Sequence, residues 1–126
     1  MTRRDSWRLA GAVWDAAWRY HRRPLAEIVA FARQPARPMT GAESEEVVRL
    51  AQLYRAAVAW LPLPRKCLIR SFVLLRFLQR SGLGADWVFG VRTWPFSAHC
   101  WLQLGDMALD DHAERLVGYE PIFVVG

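Results

Sequence analysis

The chain has 126 residues, 53% of them apolar, with seven tryptophans and a formal net charge of +5. That length is expected to form one domain over residues 1–126, and that apolar content fills a core, which excludes a disordered chain. No apolar run is long enough to span a membrane, and Asp15 and Arg19 break the apolar stretch behind the basic start, which disfavours a signal peptide; a cytoplasmic protein with no membrane partner is expected.

The first sixty residues read as helices. Asp5 or Ser6 suits an N-cap, and Trp7, Ala10, Trp14, Ala17 and Trp18 then recur at three- and four-residue spacing, which reads as a packing surface. Pro24 suits the first turn of a second helix with Leu25, Ile28, Val29 and Ala32 on one side. After the linker QPARP (34–38), Thr40 and Glu43 make a capping box. The third helix it opens is expected to bury Val47, Leu50, Ala51, Tyr54, Ala57, Val58 and Leu61. LPLP (61–64) ends that helix, because a residue before proline is pushed to extended geometry. In RKCLIRSFVLLRFLQRSG, Leu68, Ile69, Phe72, Val73, Leu75, Phe77 and Leu78 surround most of the circumference, so this fourth helix is buried on most sides. Cys67 falls in its first turn, and Gly82 suits its C-terminal stop.

Beyond Gly84 the residues turn β-branched and aromatic. ADWVFGVRTW (85–94) reads as one strand, AHCWLQLG (98–105) as a second and MALDD (107–111) as a third, with a tight turn at Gly105–Asp106. YEPIFVVG is expected to be a last edge strand. Helices followed by an antiparallel sheet define an α+β fold. The helical subregion spans residues 1–60, and the part that holds the chemistry spans 61–126.

Cys67 is the candidate nucleophile. Free N–H groups and the dipole at a helix start favour a thiolate, and Arg65, Lys66 and Arg70 push the same way. Its own backbone N–H is a candidate oxyanion donor. The alternative is a small apolar residue packed in the core. Along the second strand, His99, Trp101 and Gln103 share one face, while Cys100, Leu102 and Leu104 share the other and read as core. With Leu104 opposite Met107, position 99 lies opposite about position 112, and Asp111 lies diagonal to His99 as an orienting carboxylate. A shifted register would put Asp110 in that role instead. His99, Cys100, Asp110, Asp111 and His112 are also potential metal ligands, but adjacent strand residues cannot both face one ion and no HxH, CxxC or HExxH spacing is present, so no metal and no cofactor is expected. A polar hairpin without chemistry is the plainest alternative. The charge, carried by sixteen arginines and one lysine, is dispersed and accompanied by no nucleic-acid motif, so no nucleic-acid partner is expected. Two cysteines in a cytoplasmic chain do not suggest a disulfide.

Cysteine opening a helix, histidine on a following strand and aspartate on the strand after it resembles the transglutaminase-like branch of papain-fold cysteine enzymes. CLIRSFVLL (67–75), GV (90–91) and AHCWLQLGDMALDD (98–111) resemble, more specifically, the leader peptidases of lasso-peptide biosynthesis. Cysteine in that family stands in C-L-x-R-S, histidine in A-H-x-W, and the aspartate follows a hairpin glycine. The matching positions here are Cys67, His99 and Asp111, at gaps of 99 − 67 = 32 and 111 − 99 = 12; Asp110 stands where an asparagine is common. The resemblance implies a Cys-His-Asp cysteine peptidase of the split, stand-alone B2 type, because the first sixty residues leave no room for a winged-helix leader-recognition domain. It implies a precursor peptide as substrate, cut at the leader–core junction with threonine next to last in the leader. It also implies a separate RiPP recognition element protein that delivers the leader, and a lasso cyclase that takes the released core. The rival functions are another acyl transfer on the same triad and a non-catalytic peptide-binding scaffold.

Overall fold

The computed structural model describes residues 3–33, 40–61, 66–93, 96–104, 107–109 and 119–125. Four helices, α1 (Arg3–Arg22), α2 (Leu25–Ala32), α3 (Gly41–Ala57) and α4 (Cys67–Arg80), precede four strands, β1 (Asp86–Thr93), β2 (Phe96–Leu104), β3 (Met107–Ala108) and β4 (Glu120–Val125). A 3₁₀ turn, Val58–Trp60, extends α3. The strands form one antiparallel sheet in the order β3-β2-β1-β4, so the architecture is α+β as the element order implied.

The fold is organised around α4. Ile69, Phe72, Val73, Leu74, Leu75, Phe77 and Leu78 are buried around its whole circumference, and they join one apolar cluster that runs from Leu9 on α1 to Val125 on β4. Burying such a helix needs cover on every side; α1, α2 and α3 supply part of it and the sheet supplies the rest. Side chains alternate along β1 and β2, so Trp87 and its cross-strand partner Leu102, with Phe89 and its partner Cys100, turn toward α4. The Trp87 ring stacks on Phe72 with centroids 5.5 Å apart and planes 3° from parallel. That contact fixes where the sheet sits along the helix.

Local signals set the boundaries. The Thr40–Glu43 capping box is formed in both directions, Glu43 N–H donating to Thr40 Oγ1 at 3.1 Å and Thr40 N–H to Glu43 Oε1 at 3.2 Å. Gly82 closes α4 in the left-handed region at φ +77, where an L side chain would be strained. Gly82 N–H donates to the Gln79 carbonyl and Leu83 N–H to the Leu78 carbonyl, which is a Schellman closure. Val47, Leu50, Ala51 and Tyr54 are buried on α3, and Ala57, Val58 and Leu61 are partly buried, as the spacing predicts. Leu104 pairs with Met107 as expected, while Gly105, Asp106 and Asp110 to Gly118 lie outside the described residues.

Helix α1 departs from the sequence expectation. Trp7, Trp14 and Trp18 are 74%, 77% and 49% exposed, and the buried face is Asp5, Leu9, Ala12 and Ala16. The helix also begins at Arg3, so Asp5 lies inside its first turn. Two features turn the tryptophans outward. The alanines allow close approach to α4, and the carboxylates are tied to other helices: Asp15 Oδ2 accepts from Arg76 at 2.8 and 3.0 Å, and Asp5 pairs with Arg49 of α3 at 3.4 Å. With Asp5, Leu9, Ala12 and Ala16 facing inward, Trp7, Trp14 and Trp18 fall on the opposite side of the helix, where the Arg22 guanidinium lies 4.6 Å from the Trp18 ring centre. Leu25 is likewise 49% exposed rather than packed. Asp15→Ala is expected to leave Arg76 without its Asp15 carboxylate partner and cost about 2–3 kcal/mol. Trp14→Ala should stay within about 0.5 kcal/mol. Urea midpoints of the two variants check both values.

Candidate active site

Cys67 is the first residue of α4. Its neighbour Lys66 occupies the N-cap in extended geometry with no side-chain cap, and the Arg70 N–H makes the first bond back, to the Lys66 carbonyl at 3.2 Å. The N–H groups ahead of it therefore face the cysteine end of the helix without a capping side chain, a arrangement suited to an oxyanion.

The site's other half is the edge of β2. Leu109 N–H donates to the Leu102 carbonyl at 2.9 Å, so Leu102 directs its backbone toward the β3 side. By alternation Cys100, two residues earlier, directs its N–H to the same side. There it meets Cys67; among the described residues the β3 ladder pairs Gln103 and Leu104. Cys67 thus sits against the strand edge and reaches side chains of both sheet faces, the Cys100 thiol on one and the His99 imidazole on the other. The half-buried Cys67 thiol is lowered from 9.0 to about 4. The largest cause is the hydrogen bond from the Cys100 side chain; burial works in the opposite direction, and His99 and the Cys100 N–H add further hydrogen bonds, with attraction to His99 last. A thiolate beside an imidazole at a helix start is the arrangement of an activated sulfur nucleophile.

His99 is held among aromatic rings. Its centroid lies 5.9 Å from Trp101 and 5.7 Å from Tyr119, whose hydroxyl is 2.8 Å from Ser97 Oγ. Gly90, directly across β1 from His99, makes room for this packing: a Cβ there would stand 2.8 Å from Trp101 Cη2 and 3.2 Å from the Glu120 carbonyl. Beneath Cys67, fully buried Ser71 donates to the Cys67 carbonyl at 2.6 Å, accepts from Trp87 Nε1 at 2.8 Å and stands 3.5 Å from Cys100 Sγ.

Of the sequence candidates, Cys67 and His99 are brought together, and Asp110, Asp111 and His112 lie outside the described residues. Arg65 lies outside them too, and the leading influences on Cys67 come from β2 rather than from Lys66 or Arg70. Cys100 is buried in the core as the alternation predicts, yet it also touches Cys67. Face alternation cannot reveal this, because the contact runs along the strand edge. Ser71, Trp87 and Tyr119 are further members that sequence reasoning did not single out; the pairing of Ser71 with Cys67 one helical turn away was the available signal. Among the described residues no three His, Cys, Asp or Glu side chains are grouped to hold a metal, and no helix is long and apolar enough to cross a membrane.

Residues 10–124 match the sequence profile of the transglutaminase-like superfamily, and the chain belongs to that family. A local stretch is similar to a curated protein, the microcin J25-processing protein McjB of Escherichia coli: 40% identical over 45 residues, covering 36% of this chain and 22% of McjB. The matched stretch is thus a small part of that relative. No solved structure matches the chain.

The thiolate form reacts with alkylating agents, so iodoacetamide labelling of Cys67 should fall only as pH drops through about 4, not through the usual thiol range. His99→Ala removes a hydrogen bond and an attraction that favour the anion, so the midpoint should rise by about one unit or more. Peptide mapping of the labelled protein checks that Cys67, and not buried Cys100, carries the adduct.

Proposed function

We propose that this protein is a cysteine peptidase that removes the leader from a ribosomally made lasso-peptide precursor. The observation that carries the reading is the contact of Cys67, at the uncapped start of α4, with His99 on β2. Membership of the transglutaminase-like superfamily and the local similarity to a microcin-processing protein support it.

In the proposed reaction the Cys67 thiolate attacks the carbonyl carbon at the leader–core junction and a carbon–sulfur bond forms. Backbone N–H groups of the first α4 turn, that of Cys67 among them, hold the oxyanion. The His99 imidazolium gives its proton to the departing amide nitrogen as the carbon–nitrogen bond breaks, which frees the core peptide. Neutral His99 then takes a proton from water, the hydroxide displaces sulfur from the thioester, and the leader leaves with a new carboxylate while the thiolate returns. Asp111 is assigned the orienting role toward His99, supported by the Leu104–Met107 register from which that assignment starts. No cofactor or metal takes part. By family resemblance a separate leader-recognition protein delivers the precursor and a cyclase closes the core, and the site of action is the cytoplasm.

Incubation with a precursor peptide and its recognition protein should give leader and core masses. Cys67→Ala should give none while the precursor still binds; cleavage by that variant would overturn the assignment of the nucleophile. Asp111→Asn should cost at least about a hundredfold in rate and Asp110→Asn little, with the reverse order moving the orienting role to Asp110. Binding without cleavage by the wild type would favour a peptide-binding scaffold instead.

A further inference from the structure

The hydrogen bonds around Ser71 leave one donor with a choice. Ser71 has a single hydroxyl hydrogen, and its shortest contact, 2.6 Å to the Cys67 carbonyl, takes it. Its oxygen already accepts from Trp87 Nε1 at 2.8 Å, and its remaining lone pair faces Cys100 Sγ at 3.5 Å. Between Cys100 and Ser71 the donor must therefore be the Cys100 S–H. That same S–H is also in hydrogen-bond contact with Cys67 Sγ. Cys100 is buried, and Ser71 Oγ and Cys67 Sγ are two acceptors within reach of its one hydrogen.

We propose that Cys100 is a catalytic residue: a buried thiol donor that turns between Ser71 Oγ and Cys67 Sγ and stabilises the nucleophile's sulfur whenever it carries charge. This rests on the reading of Cys67 as a nucleophile and deepens it. An anionic sulfur is a stronger acceptor than a neutral hydroxyl, so in the free enzyme the hydrogen lies on Cys67. When Cys67 becomes a thioester its sulfur is neutral and accepts weakly, and the S–H returns to Ser71, which keeps the buried donor satisfied throughout. As the thioester breaks, charge reappears on Cys67 and the donor swings back, so the thiolate leaves into a hydrogen bond. No electron is transferred and no cofactor is needed; the Cys100 proton stays on Cys100. The backbone N–H of the same residue is a fixed second donor, so one strand position supplies both. The Trp87–Ser71 bond is the positioning part of the device, since it sets the oxygen where the idle S–H rests.

The test is the pH profile of Cys67 alkylation by iodoacetamide in Cys100→Ala and Cys100→Ser. Each variant has Cys67 as its one remaining cysteine, so the adduct is unambiguous. Cys100→Ala should move the midpoint upward by about one unit or more, a tenfold loss of reactive thiolate below it. Cys100→Ser, which keeps an O–H donor, should recover most of that shift. A purely structural role predicts loss of thermal stability in both with no displacement of the midpoint. If Cys100→Ala does not fold, Cys100→Val, which fills the space without a donor, is compared with Cys100→Ser. An unmoved midpoint in a folded donor-less variant, or a serine variant no better than the donor-less one, overturns the proposal. Labelling needs no peptide cleavage: a displaced midpoint with no leader release by the wild type supports this inference while the peptidase reading fails.

Discussion

The Ser71 hydroxyl lies where the central helix meets the sheet, bonded to the Cys67 carbonyl on α4 and to the Trp87 indole on β1, and touching the Cys100 sulfur on β2. Those three groups come from three elements, and the hydroxyl is fully buried, so no water can substitute for a missing partner. Sliding the sheet along the helix by one residue would break the contacts of Ser71 with Trp87 and Cys100 and carry β2 away from Cys67. The Phe72–Trp87 stack opposes that slide by shape, and the Ser71 bonds oppose it by direction. The reactivity proposed for Cys67 is therefore a property of helix–sheet docking and not of the helix start alone.

The remaining helices serve that docking. An α4 apolar on all sides would be exposed along its far face without cover, and the alanines of α1 let a helix approach closely there. The Asp15–Arg76 pair helps fix which face of α1 approaches, because separating the two half-buried charges is costly. In the same way Gly90 lets Trp101 lie across β1, so the His99 ring has aromatic walls instead of free rotation. Each feature restricts a side chain that the proposed chemistry needs in one orientation.

Much of this was legible in the sequence, for local reasons. The Thr40–Glu43 box, the Gly82 stop and the all-round apolar α4 are written in neighbouring residues, and Cys67 and His99 stood out because their residue types and spacing fit one reaction. Periodicity failed on α1, where two stripes at helical spacing compete. Hydrophobicity favours Trp7, Trp14 and Trp18, whereas Leu9, Ala12 and Ala16 win because of inter-helix ion pairs that no local pattern encodes. The acidity of Cys67 was expected from the helix start and adjacent cations, and its leading causes instead lie about thirty residues away on β2. Cys100 was placed on the right face, yet its role depends on which way its backbone points at a strand edge, which alternation of side chains does not record.

The central claim is that Cys67 is an anion in the resting protein, held so by groups on β2. Cysteine ¹³Cβ chemical shifts report the charge of each sulfur directly, without substrate or partner. With both cysteines labelled, the Cys67 signal should keep its thiolate position from neutral pH down to about 4. A Cys67 signal that remains a thiol at neutral pH and titrates near the ordinary thiol value would contradict the account.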